Sequence, residues 1–262
     1  MEPRPDLLAH DDTGHGVPVL FVHGFPHDRG FWAPAVRLLK DRARCVVPDL
    51  PGFGSSPLPD EQPTVDSIAL DLVALLDHSQ LDRVVVCGLS MGGYAALALW
   101  RLHPERVRAL ILCDTRATSD GPEARDKRDA LIARAVAEGP RVVADLHLPA
   151  TLGQTTRERA PNTVEAARTI LERQSVAGIV AGLRLLRDRP DQTGVLATIT
   201  VPTLVLCGAE DRVTPPEEME TMAAKIPGAT FSRVPITGHL MPFEQPGAFT
   251  AGVSTFLAQV EG

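Results

Sequence analysis

The chain has 262 residues, of which 44% are hydrophobic and 23% are charged, and its formal net charge is −7. This composition is typical of a globular protein with one large core, and it excludes intrinsic disorder as a description of the whole chain. The excess of acidic residues argues against a nucleic-acid partner, because phosphate binding draws its affinity from clustered cations. The oligomeric state stays open.

We predict neither an export signal nor a membrane partner. The opening residues mix acids with bases and lead into a very short apolar run, whereas a signal peptide needs a longer one. The longest uncharged stretch, residues 84–100, is too short to span a bilayer and has glycines at its middle. It divides better into a buried strand, a turn and a helix.

The cysteines predict a reducing compartment. They are Cys45, Cys87, Cys113 and Cys207. They show no C-x-x-C spacing, and each lies in or beside an apolar run of strand type. We therefore expect buried free thiols, without disulfides or a metal site, in a cytoplasmic protein.

Short β-type runs alternate with helix-type segments along the chain, a pattern typical of a parallel sheet with helices on both faces. The predicted strands are residues 17–22, 43–48, 83–87, 107–113, 203–207 and 230–234. Residues 64–77 place their apolar side chains on one helical stripe. Residues 95–103 are apolar nearly all round, as expected of a helix packed deep against the sheet.

Strand signals vanish between the fourth and fifth of these strands, where charged helical segments follow one another. We predict a helical cap segment, residues 116–195, inserted into a core made of residues 1–115 and 196–262. No Phe, Trp or Tyr occurs between Arg101 and Glu220, so any surface that the cap segment offers a ligand must be aliphatic.

Ser90 is the candidate nucleophile. Gly88-Leu89-Ser90-Met91-Gly92 matches G-x-S-x-G, with an apolar run before it and a helical segment after it. A sharp turn from strand to helix exposes the serine hydroxyl in a strained conformation, and the glycines on either side leave room for the turn.

A serine needs a base that is itself oriented by an acid. His239 is the candidate base, because it follows the last predicted strand at a loop where open α/β sheets place functional groups. Asp211, after the strand at 203–207, is the favoured acid. Asp114 and Glu210 stay open as alternatives.

A tetrahedral intermediate also needs backbone N–H donors for its oxyanion. We expect them from Met91, after the nucleophile, and from Phe25, in the loop after an earlier strand. His23 is interpreted as structural, holding this loop through its ring nitrogens. Residues 49–54 are rich in Gly and Pro and are interpreted as a tight scaffolding turn.

Together these motifs resemble those of the α/β-hydrolase family, and most of all its small bacterial carboxylesterases, 3-oxoadipate enol-lactonases and cofactor-free haloperoxidases. The resemblance runs from His23 to His239. It implies an α/β-hydrolase fold, a mostly parallel sheet with helices on both faces and a helical cap inserted after the sixth strand. It also implies a triad of Ser90, Asp211 and His239.

The leading hypothesis for function is a serine hydrolase that cleaves a small or medium ester or lactone, without metal or cofactor, through an acyl-serine intermediate. Perhydrolysis on the same triad is the alternative, and a noncatalytic binding protein is the alternative of another class. An apolar pocket is expected from Leu89, Met91, Phe25, Trp32, Leu240 and Met241. Core packing is equally open for Trp32, and Arg116 could attract a substrate carboxylate or be an exposed cap-hinge residue.

Overall fold

The structure, a computed structural model, describes residues 7–261. Its strands are β1 (His10–Gly14), β2 (Val17–Val22), β3 (Ala43–Pro48), β4 (Val84–Leu89), β5 (Val107–Cys113), β6 (Thr203–Gly208) and β7 (Thr230–Val234). Its α-helices are α1 (Ala33–Leu39), α2 (Val65–His78), α3 (Met91–Leu102), α4 (Pro122–Glu138), α5 (Pro140–Thr151), α6 (Gln154–Arg159), α7 (Pro161–Glu172), α8 (Val176–Asp188), α9 (Thr193–Leu196), α10 (Pro216–Ala223), α11 (Met241–Glu244) and α12 (Pro246–Glu261).

The described strands form one sheet in the order β1-β3-β2-β4-β5-β6-β7. All predicted strands are confirmed, with ends that agree within two residues. β1 is an additional strand that the sequence did not predict, and it pairs antiparallel with β3 while the other pairs are parallel. Its sequence, His-Asp-Asp-Thr-Gly, is mostly exposed at the sheet edge, so it lacks the apolar run that marked the inner strands.

The two faces of the sheet bury two separate hydrophobic clusters, because successive side chains of a strand point to opposite sides. Val86 of β4 lies in the cluster that includes side chains of α2 and α3. Cys87, the next residue, lies in the cluster that includes side chains of α1 and α12. The helices therefore cover both faces, as predicted.

The parallel arrangement brings the candidate site residues to one edge. The turn at Ser90 follows β4, Asp114 follows β5, Asp211 comes after β6 and His239 comes after β7. Because the carboxyl ends of parallel strands share one edge of the sheet, loops far apart in sequence meet there.

The cap segment consists of helices, and no strand interrupts the chain between β5 and β6 in the described residues. α9 runs one residue beyond 195, the predicted end of the cap segment. In chain order the segment follows β5, the fifth strand of the described residues, whereas the resemblance implied a place after the sixth strand. Its status as a separate domain stays a prediction. Across residues 7–261, we find no helix with the length and apolar character needed to cross a membrane. All four cysteines are buried free thiols, as predicted.

Candidate active site

Ser90 lies in the sharp turn between β4 and α3, with φ 50° and ψ −112°. A positive φ is strained for a residue that carries a side chain. A Cβ on Gly88 would lie 2.4 Å from the Gly92 carbonyl oxygen, and a Cβ on Gly92 would lie 2.1 Å from the Val22 carbonyl oxygen. Both positions therefore require glycine, which is the physical reason for the G-x-S-x-G spacing.

His239 and Asp211 are in direct contact. Nδ1 of His239 lies 2.8 Å from Oδ2 of Asp211, and both side chains are buried. When Nδ1–H donates to a carboxylate, the other ring nitrogen, Nε2, keeps the lone pair that a general base needs. The structure thus brings together the base and the acid that the sequence favoured.

Asp211 is held by its own loop as well as by His239. Its Oδ1 accepts hydrogen bonds from the N–H of Val213 at 2.7 Å and of Thr214 at 3.1 Å, and the Thr214 hydroxyl donates to Oδ2 at 2.6 Å. Burial by itself would raise the pKa of Asp211. The attraction of His239 and the hydrogen bonds from His239 and Thr214 outweigh burial and hold this pKa below its usual range. Asp211 is therefore ionised and fixed in orientation.

Glu244 is a buried carboxylate that clamps the loop carrying His239. Its Oε1 accepts hydrogen bonds from the N–H of Gly238 at 2.9 Å and of Leu240 at 3.2 Å, the residues on either side of His239. Its Oε2 accepts from the N–H of Gly153 at 2.9 Å. The sequence analysis missed this residue, although an acid directly after the apolar residues of a short helix is an available signal.

The cap segment is joined to the loops of the site by further hydrogen bonds. The His239 N–H donates to the Thr151 carbonyl oxygen at 2.7 Å. Glu210, the third candidate acid, accepts from the Thr155 N–H at 2.9 Å and from the Thr155 hydroxyl at 2.5 Å. Glu210 therefore binds the cap segment, whereas Asp211 is the candidate acid that contacts His239.

The loop after β2 lies against Ser90. A Cβ on Gly24 would lie 3.2 Å from Ser90 Cβ, and Phe25 is the next residue. His23 fixes this loop as predicted: its Nδ1–H donates to the Gly24 carbonyl oxygen and its Nε2 accepts from the Leu50 N–H, both at 2.9 Å. Met91, the residue after Ser90, is the first residue of α3. Because a helical N–H bonds to the carbonyl four residues earlier, the Met91 N–H has no acceptor within the helix.

Asp114 lies beside Asp211. Within the described part of the chain, one group of side chains has ligand atoms close enough together to hold a metal ion. It consists of Asp114, Cys207 and Asp211, whose ligand atoms lie within 4.8 Å of one another. Asp211 already accepts several hydrogen bonds, and burial, followed by the charges of the two aspartates, raises the pKa of the Cys207 thiol. A protonated thiol is a poor metal ligand, so the group suits a hydrogen-bonded acid pair better than an ion.

The residues expected to line the pocket are all buried. Leu89, Leu240 and Met241 are at most 1% exposed. Leu89 lies beside the loop after β2, since a Cβ on Gly24 would lie 3.4 Å from Leu89 Cδ2. Trp32 is enclosed in the core, with its ring 5.1 Å from that of Phe21, and this placement favours the core-packing interpretation of Trp32.

Arg116 is engaged within the protein. Its guanidinium donates to the Val213 carbonyl oxygen, and Nε lies 3.3 Å from a carboxylate oxygen of Glu218. Its charge thus has an acidic partner, which weakens the interpretation that it attracts a substrate carboxylate.

His147 of α5 approaches the site from the cap segment, and no motif in the sequence marks this residue. Its ring centroid lies 5.9 Å from that of Phe25 and 6.2 Å from that of His27. Burial and, next, the charges of His239 and Arg128 lower the pKa of His147 to about 3. The imidazole is therefore neutral near pH 7.

Comparisons with known proteins agree with this geometry. A family model described as alpha/beta hydrolase fold matches residues 17–246. BpoC of Mycobacterium tuberculosis, which bears the name of a non-heme bromoperoxidase, is 30% identical, over 97% of this chain and 98% of its own. 3-Oxoadipate enol-lactonase 1 of Acinetobacter baylyi is 30% identical, over 93% and 89%. A thermophilic esterase from Thermogutta terrifontis, solved with malate bound, superimposes with a TM-score of 0.94 and 41% identity, over 97% and 94%.

Proposed function

Since the chain belongs to the α/β-hydrolase family, we propose that it is a serine hydrolase that cleaves a small or medium carboxylic ester or lactone. The observation that carries the proposal is the 2.8 Å contact between His239 Nδ1 and Asp211 Oδ2, at the same sheet edge as the strained turn at Ser90. An oriented base and a serine that is not fully buried are the parts that acyl transfer requires.

In the acylation step, the Ser90 hydroxyl oxygen attacks the carbonyl carbon while His239 Nε2 takes the hydroxyl proton. The negative charge then moves to the carbonyl oxygen, where the N–H groups of Phe25 and Met91 stabilise it. The ionised Asp211 stabilises the imidazolium and keeps Nδ1 protonated. Collapse of the intermediate breaks the ester bond, and His239 returns its proton to the leaving alcohol.

Deacylation repeats these steps with water. His239 removes a proton from water, the hydroxide attacks the acyl carbon, and the acid leaves as Ser90 recovers its proton. With a lactone, the alcohol released in the first step stays attached to the acyl group. The chain's own residues and water suffice for both steps.

The packing of the cap segment supports a small or medium substrate. A Cβ on Gly182 of α8 would lie 2.8 Å from Phe25 and 2.8 Å from Phe53. His147 of α5 also contacts the Phe25 ring. Two cap helices, α5 and α8, therefore pack against Phe25, the residue that carries one of the proposed oxyanion donors. This packing leaves limited space beside the reacting carbonyl.

Perhydrolysis is the second candidate function. Hydrogen peroxide would replace water on the acyl-enzyme, so that a peracid leaves and Ser90 is regenerated. The name that BpoC bears is the observation that favours including this reaction in the assay. We also propose a cytoplasmic location, supported by the four free thiols.

The test is a panel of p-nitrophenyl esters of increasing acyl length beside a set of lactones, with water or hydrogen peroxide as acceptor. We expect turnover of short and medium esters or of lactones, and a loss of at least about 10³-fold in kcat for Ser90→Ala. Ser232→Ala is the matched control, because Ser232 is exposed on β7. If Ser90→Ala keeps wild-type activity, or no member of the panel is turned over, the proposal fails.

A further inference from the structure

Asp114, directly after β5, is fully buried beside the acid of the site. One of its carboxylate oxygens lies within 4.8 Å of one on Asp211. Its backbone is fixed, with φ 42° and with its N–H donating to the Leu206 carbonyl oxygen at 3.0 Å. Its Oδ1 accepts from the Gly208 N–H at 2.8 Å, a bond that would break if the carboxyl group turned away.

Two carboxyl groups this close in a buried site do not both ionise readily, because like charges repel strongly there. Asp211 accepts hydrogen bonds at both oxygens and faces His239. Asp114 accepts the bond from Gly208, while its Oδ2 is buried and has no partner among residues 7–261. The hydrogen bonds therefore favour the charge on Asp211 and the proton on Asp114.

The electrostatics agree with this assignment. Burial, and then the negative charge of Asp211, raises the pKa of Asp114 well above its usual range. The other titratable groups that face it are the thiols of Cys207 on β6 and Cys113 on its own strand. Neither thiol offers a positive charge that would favour ionised Asp114.

We propose that Asp114 is a positioning residue for the triad: its protonated Oδ2 donates a hydrogen bond to the Asp211 carboxylate. This inference rests on the proposed roles of Ser90, His239 and Asp211. The bond gives Oδ2 its partner and fixes Asp211 from the β5 side as well as from its own loop. It also draws negative charge from Asp211, which limits how strongly His239 holds a proton.

Two substitutions distinguish the role of the Asp114 proton from the role of the whole Asp114 side chain. Asp114→Asn keeps an oxygen for the Gly208 N–H and places an N–H donor where the hydroxyl was, whereas Asp114→Ala removes both. We expect kcat/KM of Asp114→Asn to stay within about tenfold of wild type. We expect Asp114→Ala to lose on the order of 10²-fold, because Asp211 and His239 are less well oriented.

The pH profile of kcat/KM gives a readout that a merely structural role would not move. In Asp114→Ala the Asp211 carboxylate loses a donor and becomes more basic, so His239 holds its proton more tightly. The acid limb should therefore move to higher pH by about 0.5 or more, while it stays in place in Asp114→Asn. If Asp114 were ionised, both substitutions would remove a negative charge and move the limb to lower pH, which would overturn the proposal.

An infrared difference spectrum keeps the test decisive if Asp114→Ala does not fold. Wild type minus Asp114→Asn at pH 8 should show the C=O stretch of a protonated carboxylic acid, and its absence would overturn the proposal. Labelling of Ser90 by an organophosphonate distinguishes the two levels of inference. An unlabelled Ser90 rejects the proposed function, whereas a labelled Ser90 without the infrared band rejects only the role of Asp114.

Discussion

Glu244→Gln tests whether the clamp on the loop that carries His239 matters for catalysis. The Gln oxygen can still accept from the N–H groups of Gly238 and Leu240, which lie 2.9 and 3.2 Å from Glu244 Oε1. The amide nitrogen then faces the Gly153 N–H, which lies 2.9 Å from Oε2. Two donors would point at each other in a buried site.

Each unsatisfied buried donor costs about 1–3 kcal/mol. Burial outweighs the hydrogen bonds from the Thr156 side chain and from three backbone N–H groups and raises the pKa of Glu244, so the neutral amide recovers part of the cost of burying a charge. We therefore expect the free energy of unfolding to fall by about 1–3 kcal/mol, which lowers Tm by roughly 3–10 °C in a domain of this size. We also expect kcat to fall about tenfold, because the loop that aims His239 shifts.

Thermal unfolding and steady-state kinetics on a p-nitrophenyl ester check both effects. Glu220→Gln is the matched control: it removes an exposed pair with Arg233 and should change stability by less than about 0.5 kcal/mol. If Tm and kcat of Glu244→Gln both match wild type, the clamp does not hold the loop. A lower Tm with unchanged kcat would limit Glu244 to stability.

Three further predictions concern other parts of the site. Asp211→Asn should lose on the order of 10²-fold or more in kcat/KM and damage activity far more than stability, and a nearly silent substitution would remove Asp211 from the triad. Gly88→Ala should abolish activity and lower Tm, because its Cβ would lie 2.4 Å from a backbone oxygen, whereas Gly252→Ala meets nothing within 4 Å and should be neutral or slightly stabilising. Because the folded pKa of His147 lies below 6.5, wild-type stability should fall as pH drops from about 6.5 towards 3, where the unfolded chain binds the proton first. Urea unfolding at several pH values should show that the free energy of unfolding falls less steeply with decreasing pH in His147→Phe than in wild type. The same pH dependence in both proteins would contradict the burial of a neutral imidazole.

The features that the sequence predicted well are local. The inner strands are continuous apolar runs, and the turn at Ser90 is encoded by glycines at fixed spacing, because a Cβ at Gly88 would collide with backbone. The contact between His239 and Asp211 could also be anticipated, because parallel strands bring their carboxyl ends to one edge of the sheet. β1 could not, since an exposed edge strand has no apolar run.

The features that the sequence did not predict depend on packing between distant segments. The bond between Glu244 and Gly153 joins residues 91 positions apart and follows from how the cap segment docks. His147 reaches Phe25 for the same reason. Trp32 is a second example. From the sequence, an aromatic residue near the loop after β2 could line a pocket or fill the core, and only its packing against Phe21 and Phe249 shows that it fills the core.

The most direct test of the central claim, that Ser90 is the nucleophile, is the position of the adduct formed with a p-nitrophenyl alkylphosphonate ester. Such a reagent phosphonylates an activated serine and releases p-nitrophenol. Intact-mass analysis followed by peptide mapping should find one phosphonyl group per chain, on the peptide that contains Ser90, and none on Ser90→Ala. Labelling of a different residue, or equal labelling of Ser90→Ala, would contradict the account.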